Sequence, residues 1–535
     1  MNSIFQLPFL PNFFKQKQYE INLLTLFPFL FTFLIFILMI LKITRKRSIV
    51  SHDPTKTTTP NLPPGPWKLP IIGNLHLLII GSDLPHHRLR NLAGKYGPLM
   101  HLKLGEVSHI VASSPEAAKE AMRTHDINFA QRSLGLPEAD VYASLGITFC
   151  PHGDYWRQLR RVCTQELLSP KRVKSFQSIR EEEVSNLIGY LRSNQGSLVN
   201  LSEKIFALTY SITSRAAFGK KCKEQEAFTE ATKEGLKISA GFNVSHVFPS
   251  QNWLRRITGL GPKVEKNLKK TDEILQSIVD AYKARKATRT DSADSNDAAE
   301  ITLLDVLFSL EEKGDKDFSL ETANIKVIIM DIFMAGGETS SSVIEWAMLE
   351  MLKNPKLMEK AQAETRRVFG RKGNVEETND LNELEFLDLV IKETLRLHPP
   401  VVLIPRESKE SCVINGYQIP EKTKFIINTW AIGRDPKHWS EPEKFKPERF
   451  LESSIDFKGG DFHFIPFGGG RRMCPGIWFA LADVKLPLAQ LLFHFDWKLP
   501  DGISHENLDM SESFGLTVRR RGDLFLIPIP CHVNQ

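Results

Sequence analysis

The sequence predicts a large, mainly α-helical domain with a smaller β part, preceded by one membrane-spanning helix. Apolar residues recur at helical spacing over long segments, whereas the apolar runs of strand type are short. Near the N-terminus, residues 23–41 form a stretch of 19 residues without a charge. As a helix this stretch would span about 28 Å, close to the thickness of a bilayer's hydrocarbon core. The 535 residues are enough for an extensive buried core.

The N-terminal tail and membrane anchor are assigned to residues 1–47, with the span at residues 23–41. Lys42, Arg45, Lys46 and Arg47 follow the span directly, so the positive-inside rule places the rest of the chain on the cytosolic side. A cleaved signal peptide is the alternative, but it would have a shorter apolar region and a small-residue cleavage site. We therefore expect an uncleaved single-pass anchor.

The anchor's orientation also bears on two glycosylation sequons. Asn200 and Asn243 each begin an Asn-x-Ser sequence. A segment that stays on the cytosolic side does not receive N-linked glycans, so we expect both asparagines to be unmodified.

A linker is predicted over residues 48–66, which are rich in Ser, Thr, Lys and Pro and end in the stiff Leu-Pro-Pro-Gly-Pro run. The remaining residues, 67–535, are predicted to form one domain. Its clearest patterns indicate helices at 181–191, 303–310, 322–353 and 384–398, strands at 99–104 and 425–430, and a polar surface loop at 289–300.

Charge and cysteine content exclude some functional classes. A net charge of +6 is small for this length and argues against a protein dedicated to binding nucleic acid. None of the six cysteines has CxxC or zinc-finger spacing. The chain therefore has no disulfide framework, and its main domain is expected in a reducing compartment.

The strongest chemical signal is residues 467–476, Phe-Gly-Gly-Gly-Arg-Arg-Met-Cys-Pro-Gly. Its three glycines allow a tight loop close to a flat ligand. Pro475 can occupy the first position of a helix that starts near Ile477, which would place Cys474 at a helix N-terminus, where the dipole favours a thiolate. Arg472 adds a cation suited to a carboxylate. The loop therefore predicts a thiolate ligand for a metal.

A second signal lies inside the predicted helix 322–353, where Ala335 is followed by Gly336, Gly337, Glu338 and Thr339. Each glycine in a helix interior costs about 1 kcal/mol relative to alanine, so something must offset the cost. One interpretation is a distorted helix that opens to a ligand, with an acid beside an alcohol to pass protons. The other is close helix packing through small residues, and the residues alone leave both open.

The loop resembles the cysteine-ligand loop of the cytochrome P450 family, Phe-x-x-Gly-x-Arg-x-Cys-x-Gly, at every fixed position. The resemblance extends from about Leu62 to the end of the chain. It implies the cytochrome P450 fold and a haem b held by Cys474 as axial iron ligand, with Phe467 and Gly476 at the cofactor. It further implies that Glu338 and Thr339 deliver protons during oxygen activation.

Two further motifs resemble those of the family. Glu393 and Arg396 lie three residues apart on one helix face and can pair, either at the surface or, given their apolar neighbours, in the core. The resemblance implies the buried, structural role, with Arg449 as third partner. The implied haem-propionate partners are Trp156, Arg160, Arg406 and Arg472. The implied substrate pocket includes Ala335, Val401 and Phe514, within the segments 134–147, 331–335, 401–404 and 514–517.

The implied reaction inserts one oxygen atom from O₂ into a small lipophilic substrate, with electrons from NADPH through NADPH–cytochrome P450 reductase at the endoplasmic reticulum membrane. Residues 124–184 resemble plant members of the 71 clan that hydroxylate terpenoids. An alkaloid or phenolic oxidase of the same family is an alternative. A haem-thiolate isomerase or dehydratase that needs no O₂, a non-catalytic haem carrier and a haem-free membrane scaffold are the others.

Overall fold

The structure is a computed structural model that describes residues 30–34, 36, 37, 61–133, 135, 137–219, 224–239, 243–290, 301–314, 320–370, 377 and 379–531. The chain divides into two compact units, Met1–Thr59 and Pro60–Gln535. In the first unit, the described residues 30–34, 36 and 37 are helical, and their large apolar side chains are exposed. The rest of the predicted anchor and most of the predicted linker lie outside the described residues.

The second unit is mainly helical. Its α-helices are α1 His76–Ile79, α2 Pro85–Tyr96, α3 Pro115–Lys119, α4 Pro137–Ala143, α5 Asp154–Val162, α6 Pro170–Ser175, α7 Gln177–Ser193, α8 Leu201–Phe218, α9 Gln225–Ser239, α10 Val244–Val247, α11 Asn252–Ile257, α12 Leu260–Thr290, α13 Leu303–Lys313, α14 Thr322–Lys353, α15 Pro355–Phe369, α16 Glu385–Leu397, α17 Thr429–Ile432 and α18 Ile477–His494. Single π turns, Glu120–Thr124 and Cys163–Leu167, extend α3 and α5.

The β part consists of small sheets. The strands are β1 Leu99–Leu104, β2 Val107–Ala112, β3 Val199–Asn200, β4 Leu403–Glu407, β5 Cys412–Ile414, β6 Tyr417–Ile419, β7 Lys424–Asn428, β8 Phe495–Lys498, β9 Glu512–Ser513, β10 Arg519–Arg520 and β11 Phe525–Pro530. The largest sheet has the order β1-β2-β7-β4, in which β2 and β7 are parallel and the other pairs antiparallel. The others are β3-β11-β8, β5-β6 and β9-β10.

The prediction of a mainly α fold with a minor β part is confirmed. The helix predicted at 322–353 has those bounds as α14, and the strand predicted at 99–104 is β1. The strand predicted at 425–430 is wrong at its end, because β7 stops at Asn428. The Asn428 side chain accepts a hydrogen bond from the Ala431 N–H at 3.0 Å and so caps α17, which puts Thr429 and Trp430 in a helix.

The main unit begins before the predicted boundary at Trp67. The Asn61 carbonyl accepts from the Gln418 N–H at 2.8 Å, and the Pro64 carbonyl accepts from the His101 N–H at 2.8 Å. A Cβ on Gly65 would lie 2.0 Å from the His101 carbonyl oxygen, so only glycine permits this approach. The end of the predicted linker is therefore bonded to the edges of the sheets, and the polar patterning that indicated a linker is typical of such an edge segment too.

The long helix α14 is the centre of the core. It packs against α8, α16 and α18, and most of its residues are buried. By length and composition, α14 and α18 could each cross a membrane, but 67% and 61% of their apolar windows are buried inside the body. Among the described residues these two are therefore core helices. Together they position the two chemical motifs of the sequence, because the cysteine loop leads into α18 and the glycine pair lies within α14.

Candidate active site

A large, mainly apolar cavity lies between α14 and the cysteine loop. One wall is the loop and the start of α18, and the opposite wall is the middle of α14. Its lining includes Cys474, Phe467, Arg472, Gly476, Arg160, Arg132, Trp156, Asp331, Ala335, Gly336, Thr339, Val401, Leu516 and Thr517. The residues that the sequence connected with a haem and with oxygen activation thus converge on one space, except for Arg406 and Glu338, which do not line it.

The cysteine loop is a tight turn held against the π turn after α3. Gly470 has φ +66°, and a Cβ there would lie 2.2 Å from the Met122 carbonyl oxygen, so glycine is required. The Cys474 N–H donates to the Phe467 carbonyl at 3.0 Å and closes the loop. The expectation that Pro475 starts the next helix is wrong: Gly476 is the N-cap and α18 begins at Ile477. Cys474 therefore lies two residues before the N-cap of the helix.

The Cys474 thiol is buried, and burial raises its pKa. The Gly476 N–H bonded to the sulfur and the guanidinium groups of Arg160 and Arg132 act in the opposite direction. In the protein alone these groups do not outweigh desolvation. A metal cation bonded to the sulfur would supply the missing charge, because a coordinating thiol is deprotonated outright. The thiolate that the helix dipole was expected to favour therefore depends on the metal.

The guanidinium groups of Arg132, Arg160 and Arg472 line the cavity, and the buried Arg406 lies close enough to Arg132 and Arg472 for their charges to affect it. Burial and mutual repulsion lower the pKa of Arg132 to about 10 and that of Arg472 to about 9, and they lower the pKa of Arg406 and, by burial alone, that of Arg160. Asp126 is the carboxylate that offsets the charge at Arg406. Arg132 Nε and Arg406 Nη2 are buried without a hydrogen-bond partner among the described residues. Unpaired buried donors of this kind fit an anionic ligand.

These observations fit the haem that the resemblance implies. Its carboxylates would meet the unpaired guanidinium donors, and its iron would meet the Cys474 sulfur on the cavity wall. Arg132 was not among the predicted cofactor residues. Its position two residues after the apolar pair Phe129 and Ala130 was the available signal, since a cation near residues that are expected to be buried needs a partner.

Two expected propionate donors are occupied by the protein itself. The Trp156 indole N–H donates to the Ile147 carbonyl at 3.2 Å. Arg472 donates to the carbonyls of Ala130 at 2.8 Å, Ile147 at 3.0 Å and Cys150. These bonds fasten the segment between α4 and α5 over the cavity. The Arg472 guanidinium also lies 4.4 Å from the centre of the Trp156 ring.

Arg160 connects α5 to the cysteine loop. Its Nη1 donates to the Met473 carbonyl at 2.6 Å. The residue therefore holds the backbone immediately before Cys474 and lies on the cavity wall at the same time.

The acid and the alcohol of α14 point to different surroundings. Thr339 lines the cavity, and its hydroxyl donates to the Ala335 carbonyl at 2.7 Å. Glu338 is not among the lining residues; burial raises the pKa of its carboxyl, and its Oε2 has no hydrogen-bond partner among the described residues. The acid on the cavity wall is Asp331, whose pKa burial raises to about 6 and whose carboxylate accepts from the Thr148 N–H at 3.0 Å.

The two glycines of α14 serve both of the interpretations left open by the sequence. Gly336 lines the cavity, whereas Gly337 faces α8, where an added Cβ would lie 2.7 Å from the Tyr210 ring. The Thr209 hydroxyl donates to the Gly337 carbonyl at 2.8 Å. The expected distortion is absent from α14, which is α-helical from Thr322 to Lys353. Close packing of Gly337 against Tyr210 offsets the cost of a glycine in the helix interior, and no helix distortion is needed.

The predicted structural residues form a buried ion network beneath the site. Nε and Nη2 of Arg396 donate to Glu393 at 2.7 and 2.8 Å, and Arg449 Nε donates to the same carboxylate at 2.9 Å. Arg396 also donates to the Gly433 and Pro442 carbonyls. Glu393 and Arg396 are 0% and 1% exposed, so this is a core network, not a surface pair.

The expected substrate residues are only partly on the cavity wall. Ala335 and Val401 line it. Phe514 does not: its ring packs with Val402, Trp430 and Val518 on the outer side. The same turn instead presents Leu516 and Thr517, because Val518 N–H donates to the Pro400 carbonyl at 2.8 Å and fixes the register of the turn.

Comparison with known proteins gives a consistent result. A family model described as "Cytochrome P450" matches residues 63–525. Desmethyl-deoxy-podophyllotoxin synthase of Sinopodophyllum hexandrum is 53% identical over 88% of this chain and 92% of its own length. Premnaspirodiene oxygenase of Hyoscyamus muticus is 51% identical over 88% of this chain and 93% of its own length.

Among solved structures, a zebrafish cytochrome P450 crystallised with progesterone superimposes with a TM-score of 0.69 at 23% identity. The match covers 84% of this chain and 100% of the zebrafish chain. At this sequence identity the similarity shows a shared fold and nothing more. The chain therefore has the fold of the zebrafish protein.

Proposed function

Because the chain belongs to the cytochrome P450 family, we propose that it oxidises a lipophilic plant terpenoid by inserting one oxygen atom from O₂. The protein is a haem-thiolate monooxygenase and groups with the P450 enzymes of plant specialised metabolism. The observation that carries the proposal is the position of Cys474 and Thr339 on facing walls of one mainly apolar cavity.

Each residue has a defined task in this proposal. Haem bound through Cys474 supplies the oxidising chemistry, which the thiolate favours by pushing electron density toward the iron. Gly476 donates its N–H to the sulfur, and Arg132 and Arg406 bind the haem carboxylates. Thr339 holds and passes a proton at its Oγ1.

Glu338 is proposed to resupply protons from behind the helix. Its burial raises the pKa of the carboxyl, so the group retains a proton more readily than an exposed glutamate. Since its side chain does not line the cavity, it acts through a neighbour, and Thr339, the next residue, is the one on the cavity wall.

The substrate class is argued from the cavity lining. Ile332, Met334, Val401, Ile404 and Leu516 give it an aliphatic surface, which suits a lipophilic guest of terpenoid type. Relatives of nearly equal identity are named desmethyl-deoxy-podophyllotoxin synthase, premnaspirodiene oxygenase and tabersonine 16-hydroxylase, so an alkaloid or phenolic substrate is the competing assignment.

Substrate-induced spectral shifts of the haem would test the class. The full chain is co-expressed with a plant NADPH–cytochrome P450 reductase and titrated with sesquiterpenes, indole alkaloids and phenolics. We expect saturable shifts and NADPH-dependent products with terpenoids. Saturable binding and turnover confined to alkaloids or phenolics would contradict the terpenoid assignment, and product formation without NADPH or O₂ would indicate an isomerase or dehydratase instead.

The proposed partner is NADPH–cytochrome P450 reductase, and the proposed location is the endoplasmic reticulum membrane with the catalytic domain in the cytosol. Support comes from the uncharged stretch at residues 23–41 and the basic residues after it. In the structure, the sequon residues Asn200 and Asn243 are helix N-caps that accept from the Glu203 and His246 N–H groups. An N-linked glycan on either residue, detected by a glycosidase-sensitive mobility shift, would contradict the orientation.

A further inference from the structure

A cluster of metal-binding side chains lies apart from the cysteine loop. Nε2 of His86 and Nε2 of His87, neighbours on α2, both contact Oε2 of Glu512, at 2.7 and 3.0 Å. The three ligand atoms lie within 4.8 Å of one another. The side chains of His86 and Glu512 are 0% and 7% exposed, whereas that of His87 is 33% exposed. Two imidazoles and a carboxylate thus meet at a buried point that solvent reaches from one side.

A second set of side chains orients the carboxylate. The Trp430 indole N–H donates to Oε1 of Glu512 at 3.3 Å. Nδ1 of His398 lies 3.9 Å from the same oxygen and is buried without a hydrogen-bond partner among the described residues. Oε1 is therefore held by the Trp430 indole, while Oε2 is turned toward the two histidines. Metal ligands are commonly oriented by outer partners in this manner.

We propose that His86, His87 and Glu512 bind a divalent transition-metal ion of the zinc type. Imidazole nitrogen and carboxylate oxygen are ligands that zinc prefers. Bond lengths of about 2.0–2.1 Å in a tetrahedron place neighbouring ligand atoms about 3.3 Å apart. The observed distances of 2.7 and 3.0 Å from the two histidine Nε2 atoms to Glu512 Oε2 are a few tenths of an ångström shorter than this. A small rotation of the side chains would lengthen them enough to admit the ion. Water entering beside His87 would complete the coordination.

The local charge is compatible with a cation. The Glu443 carboxylate lies 3.0 Å from Nε of Arg434 and 2.7 Å from Nη1 of Arg90, and so offsets part of the positive charge near the cluster. Glu512 remains the negative group of the cluster.

The site is connected to the substrate cavity through the backbone. Glu512 begins β9, which pairs with β10, and the turn between them presents Leu516 and Thr517 to the cavity. A bound ion would therefore attach α2 to the strand that carries this turn. The inference goes beyond the proposed oxidation and does not depend on it, because metal binding is measured without turnover.

Zinc binding to the holoenzyme would test the proposal. The full chain, purified without a polyhistidine tag, is titrated with ZnCl₂ by isothermal titration calorimetry. We expect one site per chain that His87→Gln and Glu512→Gln weaken at least tenfold. MgCl₂ should give no binding, because Mg²⁺ prefers an all-oxygen shell. An unfolding temperature that rises with ZnCl₂ in the wild type, but not in His87→Gln, would give independent support.

A second histidine pair provides the matched control. The rings of His438 and His463 lie 4.3 Å apart, with Glu116 3.4 Å from Nε2 of His438, but the three do not converge on one point. His463→Gln should leave zinc affinity unchanged. Zinc affinity in His87→Gln and Glu512→Gln equal to that of the wild type would overturn the proposal, as would a wild-type protein that takes up no zinc.

Discussion

At the scale of single residues, two of the described cysteines, Cys474 and Cys163, line the cavity, whereas Cys150 and Cys412 do not. Burial raises the pKa of all four thiols, so burial alone does not identify the ligand. What distinguishes Cys474 from Cys163 is its bond from the Gly476 N–H and the presence of both Arg160 and Arg132 near its sulfur, whereas the Asp331 carboxylate raises the pKa of the Cys163 thiol further.

Cys474→Ala should abolish the red-shifted band of the reduced carbon monoxide complex, because no other sulfur would bind the iron. The measurement is a reduced-minus-oxidised difference spectrum under carbon monoxide. Cys412→Ala is the control, since this residue is outside the cavity, and it should retain the band at wild-type intensity. A retained band in Cys474→Ala would reject the ligand assignment.

Thr339→Ala should leave haem bound but reduce product formed per NADPH consumed, because the hydroxyl on the cavity wall would no longer pass a proton. A loss of coupling of roughly tenfold is expected for a group in this role. The readouts are NADPH consumption, product and peroxide. Ser341→Ala is the control, since its hydroxyl donates to the Glu338 carbonyl within the helix. Unchanged product per NADPH in Thr339→Ala would show that Thr339 has no such role.

At the scale of elements, one turn of α14 both lines the cavity and allows α8 to pack closely against it. Gly336 and Thr339 face the cavity, while Gly337 lets α8 approach so closely that the Tyr210 ring covers it. The neighbouring ion network then fixes α16 to the 3₁₀ turn Pro447–Phe450 through Glu393 and Arg449. Both features support the cavity from behind.

Gly337→Ala should destabilise the protein, since the new methyl group would collide with a Tyr210 ring that is 1% exposed. Overpacking of this kind costs about 1–3 kcal/mol, against a gain in helix propensity of up to about 1 kcal/mol. Gly189→Ala, in α7 with nothing near its Cβ, should instead gain stability. Urea unfolding of both variants measures the difference, and equal midpoints would contradict the packing role.

Glu393→Ala should cost about 3–5 kcal/mol, because it leaves two buried guanidinium groups without their carboxylate. A lower yield of haem-containing protein and a lower unfolding midpoint are the expected readouts. Glu273→Ala removes an exposed partner of Lys269 and should change stability by no more than about 0.5 kcal/mol. Similar unfolding midpoints for the two variants would show that Glu393 does not stabilise the core.

At the scale of the whole molecule, one buried carboxyl makes stability depend on pH. Asp483 in α18 has neither carboxyl oxygen hydrogen-bonded among the described residues, and burial raises its pKa from 3.8 to about 8. The folded protein keeps this proton at pH values where the unfolded chain has released it. The contribution to stability is therefore greatest below about pH 4 and is lost progressively as the pH rises to about 8.

Asp483→Asn should remove this dependence, because the amide is neutral at every pH and similar in shape to the protonated acid. We expect the variant's unfolding temperature to exceed the wild type's by an amount that grows between pH 5 and pH 8. Circular dichroism melts across this range measure it. Asp501→Asn, at a side chain that is 92% exposed, is the control. A difference that stays constant with pH would mean that Asp483 is not protonated in the fold.

The sequence by itself determined the helical body, the bounds of α14 and the identity of the cysteine loop. These depend on local spacing: apolar periodicity, glycines in a turn, and a thiol before a helix. It also indicated the buried pairing of Glu393 with Arg396, because both lie on one helix among apolar neighbours.

Only the tertiary structure decided which side chains reach the cavity. Arg132, Leu516 and Thr517 enter it while Glu338 and Phe514 do not. The same holds for the cluster of His86, His87 and Glu512, in which Glu512 is more than 400 positions away from the two histidines in the chain. The direction of a side chain depends on packing between distant elements, and periodicity within one element carries no information about that packing.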